Sequence, residues 1–326
     1  MRCARRRCGW WIASALAAGS GAASTADTRR ELELATWNLE WLIAPSVFRP
    51  LKSSCAPEGI AVRGTERRLP CDVAFGKERA ASDFAALARY ASRLDADVVA
   101  LQEVDGADAA RLVFPGYSFC FTGRRHLQNT GFAIRAGVPH RCGADVRSLA
   151  LGDALRRGAE LVLFPGTREE LRLLSIHLKS GCARDPLDSA RAACGDLARQ
   201  VAALEAWIDA QASHGRRFGV LGDFNRDLLR EAREQRRVGA VASTIWAAID
   251  DGEPPEADLV NALEGQRFVN CAAGQPFRSY IDFIVLSRVL GAAIVPGSFQ
   301  RVTFEPGDVS RFRLSDHCPV AIRIRR

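Results

Sequence analysis

Val220-Leu221-Gly222-Asp223-Phe224-Asn225 is an apolar run that ends in a glycine, followed by an acid and an amide two positions apart. Arg216 to Leu221 becomes more apolar as it proceeds and reads as a buried strand. Past its end, Asp223 and Asn225 share parity, so both can point to one side. Polar groups just beyond a buried strand are costly unless they are paired or used. A turn is the competing reading, because Gly, Asp and Asn are ordinary turn residues.

Five further polar clusters shift the balance away from a turn. Thr36-Trp37-Asn38-Leu39-Glu40 follows the first strand-like run, and Leu101-Gln102-Glu103 ends another. Ser175-Ile176-His177-Leu178-Lys179 ends a third, Tyr280-Ile281-Asp282-Phe283-Ile284 opens a fourth, and Leu314-Ser315-Asp316-His317-Cys318-Pro319 precedes the last. Together, in this order, the six clusters resemble the endonuclease/exonuclease/phosphatase superfamily. This is the deoxyribonuclease-I-like group that includes abasic-site endonucleases, bacterial sphingomyelinases and inositol-polyphosphate 5-phosphatases. The resemblance covers about residues 32 to 326, and the N-terminus suggests an exported, bacterial-type member.

The chain has 326 residues, 48% apolar and 25% charged, a globular composition without repeats or low-complexity linkers. Met1 to Arg7 carries four arginines and no acid, Gly9 to Ala18 is apolar, and Ala-x-Ala-like sites lie near Ala22 to Ala26. This reads as a signal peptide over Met1 to Ala26, with one domain from Asp27 to Arg326 and a secreted or periplasmic destination. Arg5-Arg6-Arg7 leaves a twin-arginine route open, and the apolar run is too short to span a membrane. Cleavage would lower the formal charge from +7 to +3, which suits an anionic substrate without selecting one.

Eight cysteines would remain, an even number that reads as disulfides in an exported chain. Eight cysteines allow about 105 pairings. Cys55–Cys71 and Cys182–Cys194 are favoured because each closes a short polar loop. Cys120–Cys142 would join neighbouring strands, and Cys271–Cys318 is what remains. A metal-thiolate site is the alternative, but no C-x-x-C pair supports it.

Strands are expected at Glu31 to Trp37, Asp97 to Leu101, Tyr117 to Phe121, Gly131 to Arg135, Tyr280 to Leu286 and Val320 to Ile324. Leu161 to Phe164 and Leu171 to Leu178 read as a hairpin about Pro165-Gly166. Helical faces run through Glu78 to Leu94 and Ala190 to Ala210. Pro45 to Gly76 reads as a long surface loop, and Leu228 to Glu264 as irregular with short helices. Strands with two long helices between them suit two packed sheets with helices outside. The resemblance implies the same fold class: α/β, a four-layer α/β/β/α sandwich of two mainly antiparallel sheets, with the active site at one end.

A phosphodiester gathers charge on its oxygens in the transition state, so cleavage needs a cation, an aligned water and donors. Hard oxygen ligands, Glu103 above all, suit Mg²⁺ or Mn²⁺. The resemblance adds Glu40 and Asp316 near that metal, with Asn38 at the metal and phosphate. It implies that Asp223 orients or deprotonates the attacking water, that Asn225 is a phosphate-side donor, and that Asp282 and His317 meet as one unit. His177 matches the histidine of the deoxyribonuclease and sphingomyelinase branches, a phosphate donor or general acid. The carboxylate that pairs with that histidine in deoxyribonucleases has no evident counterpart here. Arg124, Arg125, His126 and Asn129 fall near where deoxyribonucleases touch the DNA backbone, and Lys179 is a candidate anion contact. Each has a bland counterpart: a capping amide, a turn acid, a solvated basic loop.

The expected activity is therefore that of an exported metal-dependent phosphodiesterase, a nuclease acting on DNA or RNA. Rival readings are a phospholipid head-group hydrolase of the sphingomyelinase kind, a small phosphoester or inositol-phosphate hydrolase, and a non-catalytic binding module. The phospholipid reading calls for an exposed aromatic hairpin, and Trp246 stands alone in its segment.

Overall fold

A computed structural model describes residues 30–53, 71–238 and 243–326. The expected signal peptide and Cys55 lie outside these residues. β1 (Glu31–Leu42) is followed by α1 (Pro45–Ser53), α2 (Cys71–Gly76) and α3 (Ala81–Leu94). Next come β2 (Val98–Val104), α4 (Ala107–Arg111), β3 (Tyr117–Phe121), β4 (Asn129–Arg135) and β5 (His140–Val146). β6 (Gly158–Leu163) and β7 (Leu171–His177) lead into α5 (Ala192–Ala212) and β8 (Arg217–Asp223). The remainder is α6 (Leu228–Val238), α7 (Ile245–Ile249), β9 (Leu259–Asn261), β10 (Asp282–Ser287), α8 (Arg288–Gly291), β11 (Gln300–Arg301), α9 (Pro306–Arg311) and β12 (Val320–Arg325).

The strands form two six-stranded sheets, ordered β11-β12-β1-β2-β4-β3 and β5-β6-β7-β8-β10-β9. Most neighbours are antiparallel, but β1 with β2 and β7 with β8 run parallel at the centre of each sheet. Alternation along β1 explains the layering. Leu32 and Leu34 join the cluster shared with Leu161, Leu173 and Val220 of the second sheet. Ala35, Trp37 and Leu39, of opposite parity, join Phe84, Leu87 and Leu94 of α3. α5 covers the second sheet through Leu197, Val201, Leu204 and Ile208. The result is the expected four-layer sandwich.

Towards one end the space between the sheets becomes polar. Thr36 Oγ1 donates to Gln102 Oε1 (3.2 Å), Gln102 Nε2 to Ser175 Oγ (3.2 Å), and Ser175 Oγ to the Leu101 carbonyl (3.1 Å). Two residues further along, with the same parities, stand Asn38 on β1 and His177 on β7. The inter-sheet layer thus runs into the polar strand ends.

Two local expectations are corrected, and one strand, β5, had not been anticipated. Pro45 to Gly76 is not all loop: α1 and α2 flank its undescribed part, because Phe48, Val73 and Ala74 bury against Ile43 and Leu127. Tertiary burial outweighs the turn-rich composition there. β5 has no clear alternation and no buried residue, as an edge strand can. Consequently Cys120–Cys142 joins the edge strands of two different sheets rather than neighbours within one. Cys182–Cys194 and Cys271–Cys318 pair as expected. Cys71 is buried, and its expected partner Cys55 is not among the described residues.

Candidate active site

Register places the chemistry in one row. On parallel β7 and β8, His177 is the partner of Asp223, and on antiparallel β8 and β10, Asp223 is the partner of Asp282. Gly222 makes this approach possible. Its φ is +150°, and a Cβ there would lie 2.0 Å from the Ile176 carbonyl oxygen. No residue with a side chain fits that spacing.

Asp223 is fully buried, yet its carboxylate is surrounded by donors. Asn225 N–H donates to Oδ1 (2.8 Å) and Asn38 Nδ2 to Oδ2 (3.1 Å). His177 Nε2 lies 3.4 Å and His317 Nε2 4.0 Å from the same Oδ2. Burial pushes the Asp223 carboxyl up to about 7, against the lowering pull of His317. His317 Nδ1 donates to Asp282 Oδ2 at 2.7 Å. Burial pulls the His317 ring down, but the charge and hydrogen bond of Asp282, with Asp223 and Asp316, outweigh it and raise the ring to about 10. His317 is therefore held as an imidazolium, with Nε2–H aimed into the row. His177 is the opposite case: burial, Arg156 and His317 hold it neutral. Its Nδ1 is buried without a hydrogen-bond partner, so the carboxylate that would sustain an acid role is missing among the described residues.

Glu103 closes the first-sheet side, with its backbone in the left-handed region (φ 59°). Oε2 accepts from Trp41 N (3.2 Å) and Gln128 Nε2 (2.6 Å), while Oε1 faces Asn38 Nδ2 at 3.5 Å and His177 Nε2 at 3.8 Å. Among the described residues no Lys or Arg ion-pairs with Glu103, Asp223 or Asp282. Asp282 Oδ1 is buried without a partner. Three converging carboxylates without a paired lysine or arginine, all hard oxygen donors, fit a divalent cation. One ligand atom from each of Asp223, Asp282 and His317 also lies within 4.8 Å of the others. Both Asp223 oxygens and Asp282 Oδ2 already accept from Asn225, Asn38 and His317, whereas Asp282 Oδ1 and Glu103 Oε1 are the least committed oxygens of the set.

Other expected residues are placed differently. Glu40 is taken up by structural partners: Lys77 on Oε1, Arg79 at 4.0 Å and the Asp316 amide at 3.1 Å on Oε2. It acts as a strut between β1 and the Asp316 loop, not as an open ligand. Asp316 is half-exposed, with Oδ1 3.8 Å from His317 Nε2. One Asn225 N–H is spent on the Leu178 carbonyl (3.0 Å). Asn129 is buried and donates to the Asp105 and His126 carbonyls, so it braces its loop instead of touching a substrate. Lys179 Nζ donates to the neighbouring Ser180 carbonyl (2.9 Å). Arg125 is exposed, and Arg124 donates to the Asp153 carbonyl (3.1 Å).

Four contributors escaped the sequence reading. Arg156 lies in the field of Glu103 and Asp223, and among the described residues its one hydrogen bond is a 3.5 Å contact with Gln128 Oε1. Its neighbour Arg157 is spent on Asp145 and Asp153. Gln128 holds Glu103, as above. Ser315 Oγ donates to the Asn38 carbonyl (2.8 Å) and accepts from His317 N (3.1 Å). Arg79, buried on α3's approach, donates to the carbonyls of Leu39, Glu40 and Trp41 on β1 and of Arg313 and Leu314 before the His317 loop. It clamps the two segments that carry Asn38 and His317.

Residues 35–317 match the model of the Endonuclease/Exonuclease/phosphatase family. The chain belongs to this family. It is a phosphoric ester hydrolase, and enzymes of the family are generally dependent on a divalent metal. No curated protein sequence matches the chain. Among solved structures, Danio rerio TDP2 complexed with a single-strand DNA product is similar at 16% identity and TM-score 0.55, covering 91% of this chain and 100% of that one. The AP endonuclease LMAP of Leishmania major is similar at 18% identity and TM-score 0.53, with 91% and 88% covered. The Neisseria 3′ phosphatase NExo bound to a product DNA hairpin is similar at 17% identity and TM-score 0.51, with 90% and 100% covered. At these identities the likeness concerns the fold.

Proposed function

We propose that this family member is an exported nuclease that hydrolyses phosphodiesters of DNA or RNA with Mg²⁺ or Mn²⁺. The observation that carries the reading is the row His177–Asp223–Asp282 capped by His317, an acceptor set between donors that suits an attacking water and a charged phosphate. Asp223 Oδ2 aligns the water and takes its proton, a task that burial makes easier by raising its basicity. Asn38, neutral His177 and the His317 imidazolium offer N–H groups to phosphate oxygens, and Arg156 adds charge at the rim. Asp282 keeps the His317 ring oriented and charged. Glu103, with Asp316 as the further carboxylate that the resemblance implies, would hold the cation, which when bound polarises the phosphate and stabilises the leaving oxygen.

Nucleic acid is preferred because Arg156 lies in the field of Glu103 and Asp223, and the similar Danio rerio TDP2 is complexed with a single-strand DNA product. Trp246, the aromatic considered for membrane insertion, is only 6% exposed. Export is supported by the signal-like N-terminus and by three cysteine pairs in the folded domain. The test is incubation of purified protein with plasmid DNA, RNA and sphingomyelin, with Mg²⁺ and with chelator. Metal-dependent cleavage of nucleic acid is expected; turnover of sphingomyelin alone would defeat the nuclease reading.

A further inference from the structure

Arg226 follows Asn225 directly in the chain, and its side chain is only 1% exposed. Its partner is Glu231 on α6, which is 0% exposed. Arg226 Nε donates to Glu231 Oε1 at 2.5 Å, and Nη1 donates to the carbonyls of Cys182 and Asp185, both at 2.6 Å. Glu231 Oε2 accepts from Trp246 N–H on α7 at 3.1 Å. A fully buried ion pair is costly to desolvate, and apolar residues of similar volume often give equal or greater stability. Stability alone therefore does not account for a charged pair at this place.

What the pair joins is the two loops that leave the row. His177 ends β7 and Asp223 ends β8. Leu178 N–H donates to the Asp223 carbonyl (2.9 Å), and Asn225 Nδ2 donates back to the Leu178 carbonyl (3.0 Å). Arg226 extends this lacing to Cys182 and Asp185, where the Cys182–Cys194 bridge ties the loop to α5. Asn225 itself has a left-handed backbone, φ 56°, and presents its N–H to Asp223 Oδ1 at 2.8 Å. That conformation is disfavoured for a residue with a side chain and persists where its surroundings fix it. Asp223, held in sheet register, fixes one side of the turn, and the anchored Arg226 fixes the other.

We propose that Arg226 and Glu231 are positioning residues: they hold Asn225 in its left-handed turn and, through the Asn225 N–H, keep the Asp223 carboxylate aimed at the attacking water. The inference rests on the role given to Asp223 in the nuclease reading and deepens it. Both side chains are fully buried, so neither meets the substrate, and the pair acts through the backbone of the turn. The same lacing makes the loops after β7 and β8 one body, which preserves the 3.4 Å approach of His177 Nε2 to Asp223 Oδ2.

The test replaces the pair by apolar residues, Arg226→Met/Glu231→Leu, so that no buried charge is left unpaired. Melting temperature should stay near wild type. With Mg²⁺ and a single-stranded DNA dodecamer, kcat should fall about 10- to 100-fold and KM should change far less, the scale of a small misplacement at a site. Arg226→Lys keeps the charge but lacks the fork that serves Glu231 and two carbonyls, so it should recover only part of the loss. Asn225→Ala alone should cause a comparable fall, and adding it to the double variant should cost little more. Exchange of the Asn225 amide hydrogen, followed by NMR, should be faster in the double variant. If that variant does not fold, Arg226→Lys must show the same split and the same faster exchange. A stable variant with wild-type kcat overturns the proposal and leaves the nuclease reading intact. Full additivity with Asn225→Ala, or a loss of kcat only in proportion to unfolded protein, overturns it as well. A wild type that leaves the dodecamer uncut defeats the nuclease reading separately, and unchanged Asn225 exchange would then overturn the positioning too.

Discussion

His177 and Asp223 are register partners on adjacent parallel strands, and their side chains meet at 3.4 Å between Nε2 and Oδ2. Because parallel neighbours share direction, both side chains emerge at the same end of the second sheet, where β10 adds Asp282 from the other side. The proposed catalytic row is thus a product of sheet register, and its members are expected to respond to substitution as a unit.

His317→Ala should lower turnover by about 10²–10⁴, the range of a general acid–base contribution. Asp282→Asn should approach that loss, because the carboxylate acts through the ring it holds at 2.7 Å. The double variant should be little worse than the worse single. Steady-state kinetics on folded variants checks this, and a near wild-type rate in His317→Ala would sink the assigned mechanism.

The metal-free protein should show a definite pH signature. Asp223 titrates at about 7 when folded against an ordinary 3.8, so the folded state binds the extra proton between those values. Stability from this group is present at low pH and is lost as pH rises from about 4 through 7. His317, raised from 6.5 to about 10, contributes stability that is full below 6.5 and is lost as pH climbs through 10. Melting temperatures in chelator across this range should show the first slope in wild type and not in Asp223→Asn. Equal slopes in the two proteins would contradict it.

Chelator should abolish activity, and Mg²⁺ or Mn²⁺ should restore it. Saturating metal should also raise the melting temperature, by analogy with the about 2.7 kcal/mol gained at a ligand concentration of 100 Kd. Glu103→Gln should fold and lose much of that metal-induced shift. An unchanged metal titration in Glu103→Gln would exclude it as a ligand.

Arg79→Lys keeps the charge but cannot reach five carbonyls in two segments. Turnover should fall about 10- to 100-fold, with KM changed far less, since small misplacements near a site have this scale. Combined with His317→Ala, the further loss should be small. Full additivity in that cycle would mean that Arg79 does not act through the His317 loop.

Denatured, unreduced protein from an oxidising compartment should lack the thiols of Cys120, Cys142, Cys182, Cys194, Cys271 and Cys318. Replacing Cys120 and Cys142 by Ala should cost about 2–4 kcal/mol, because that bridge ties the edges of the two sheets. Thiol titration and denaturant melts measure both, and six reactive thiols would refute the pairing.

The amino-acid sequence by itself determined the alternation of β1, the apolar faces of α3 and α5, and the polar ends of six strands; the four-layer sandwich and the nature of the site followed from the resemblance that the order of those clusters carries. These are local properties: side-chain period and the cost of stranding a polar group are legible within a few residues. Only the tertiary structure decided which polar groups are already spent. Glu40 looked like a ligand until Lys77 and Arg79 were brought to it, and Asn129 looked like a contact until it folded back onto Asp105 and His126. Arg156 and Arg79 were invisible for the converse reason, since an arginine's role depends on carbonyls and carboxylates far away in sequence. Charge compensation acts through space at a few ångströms, and no spacing along the chain encodes it.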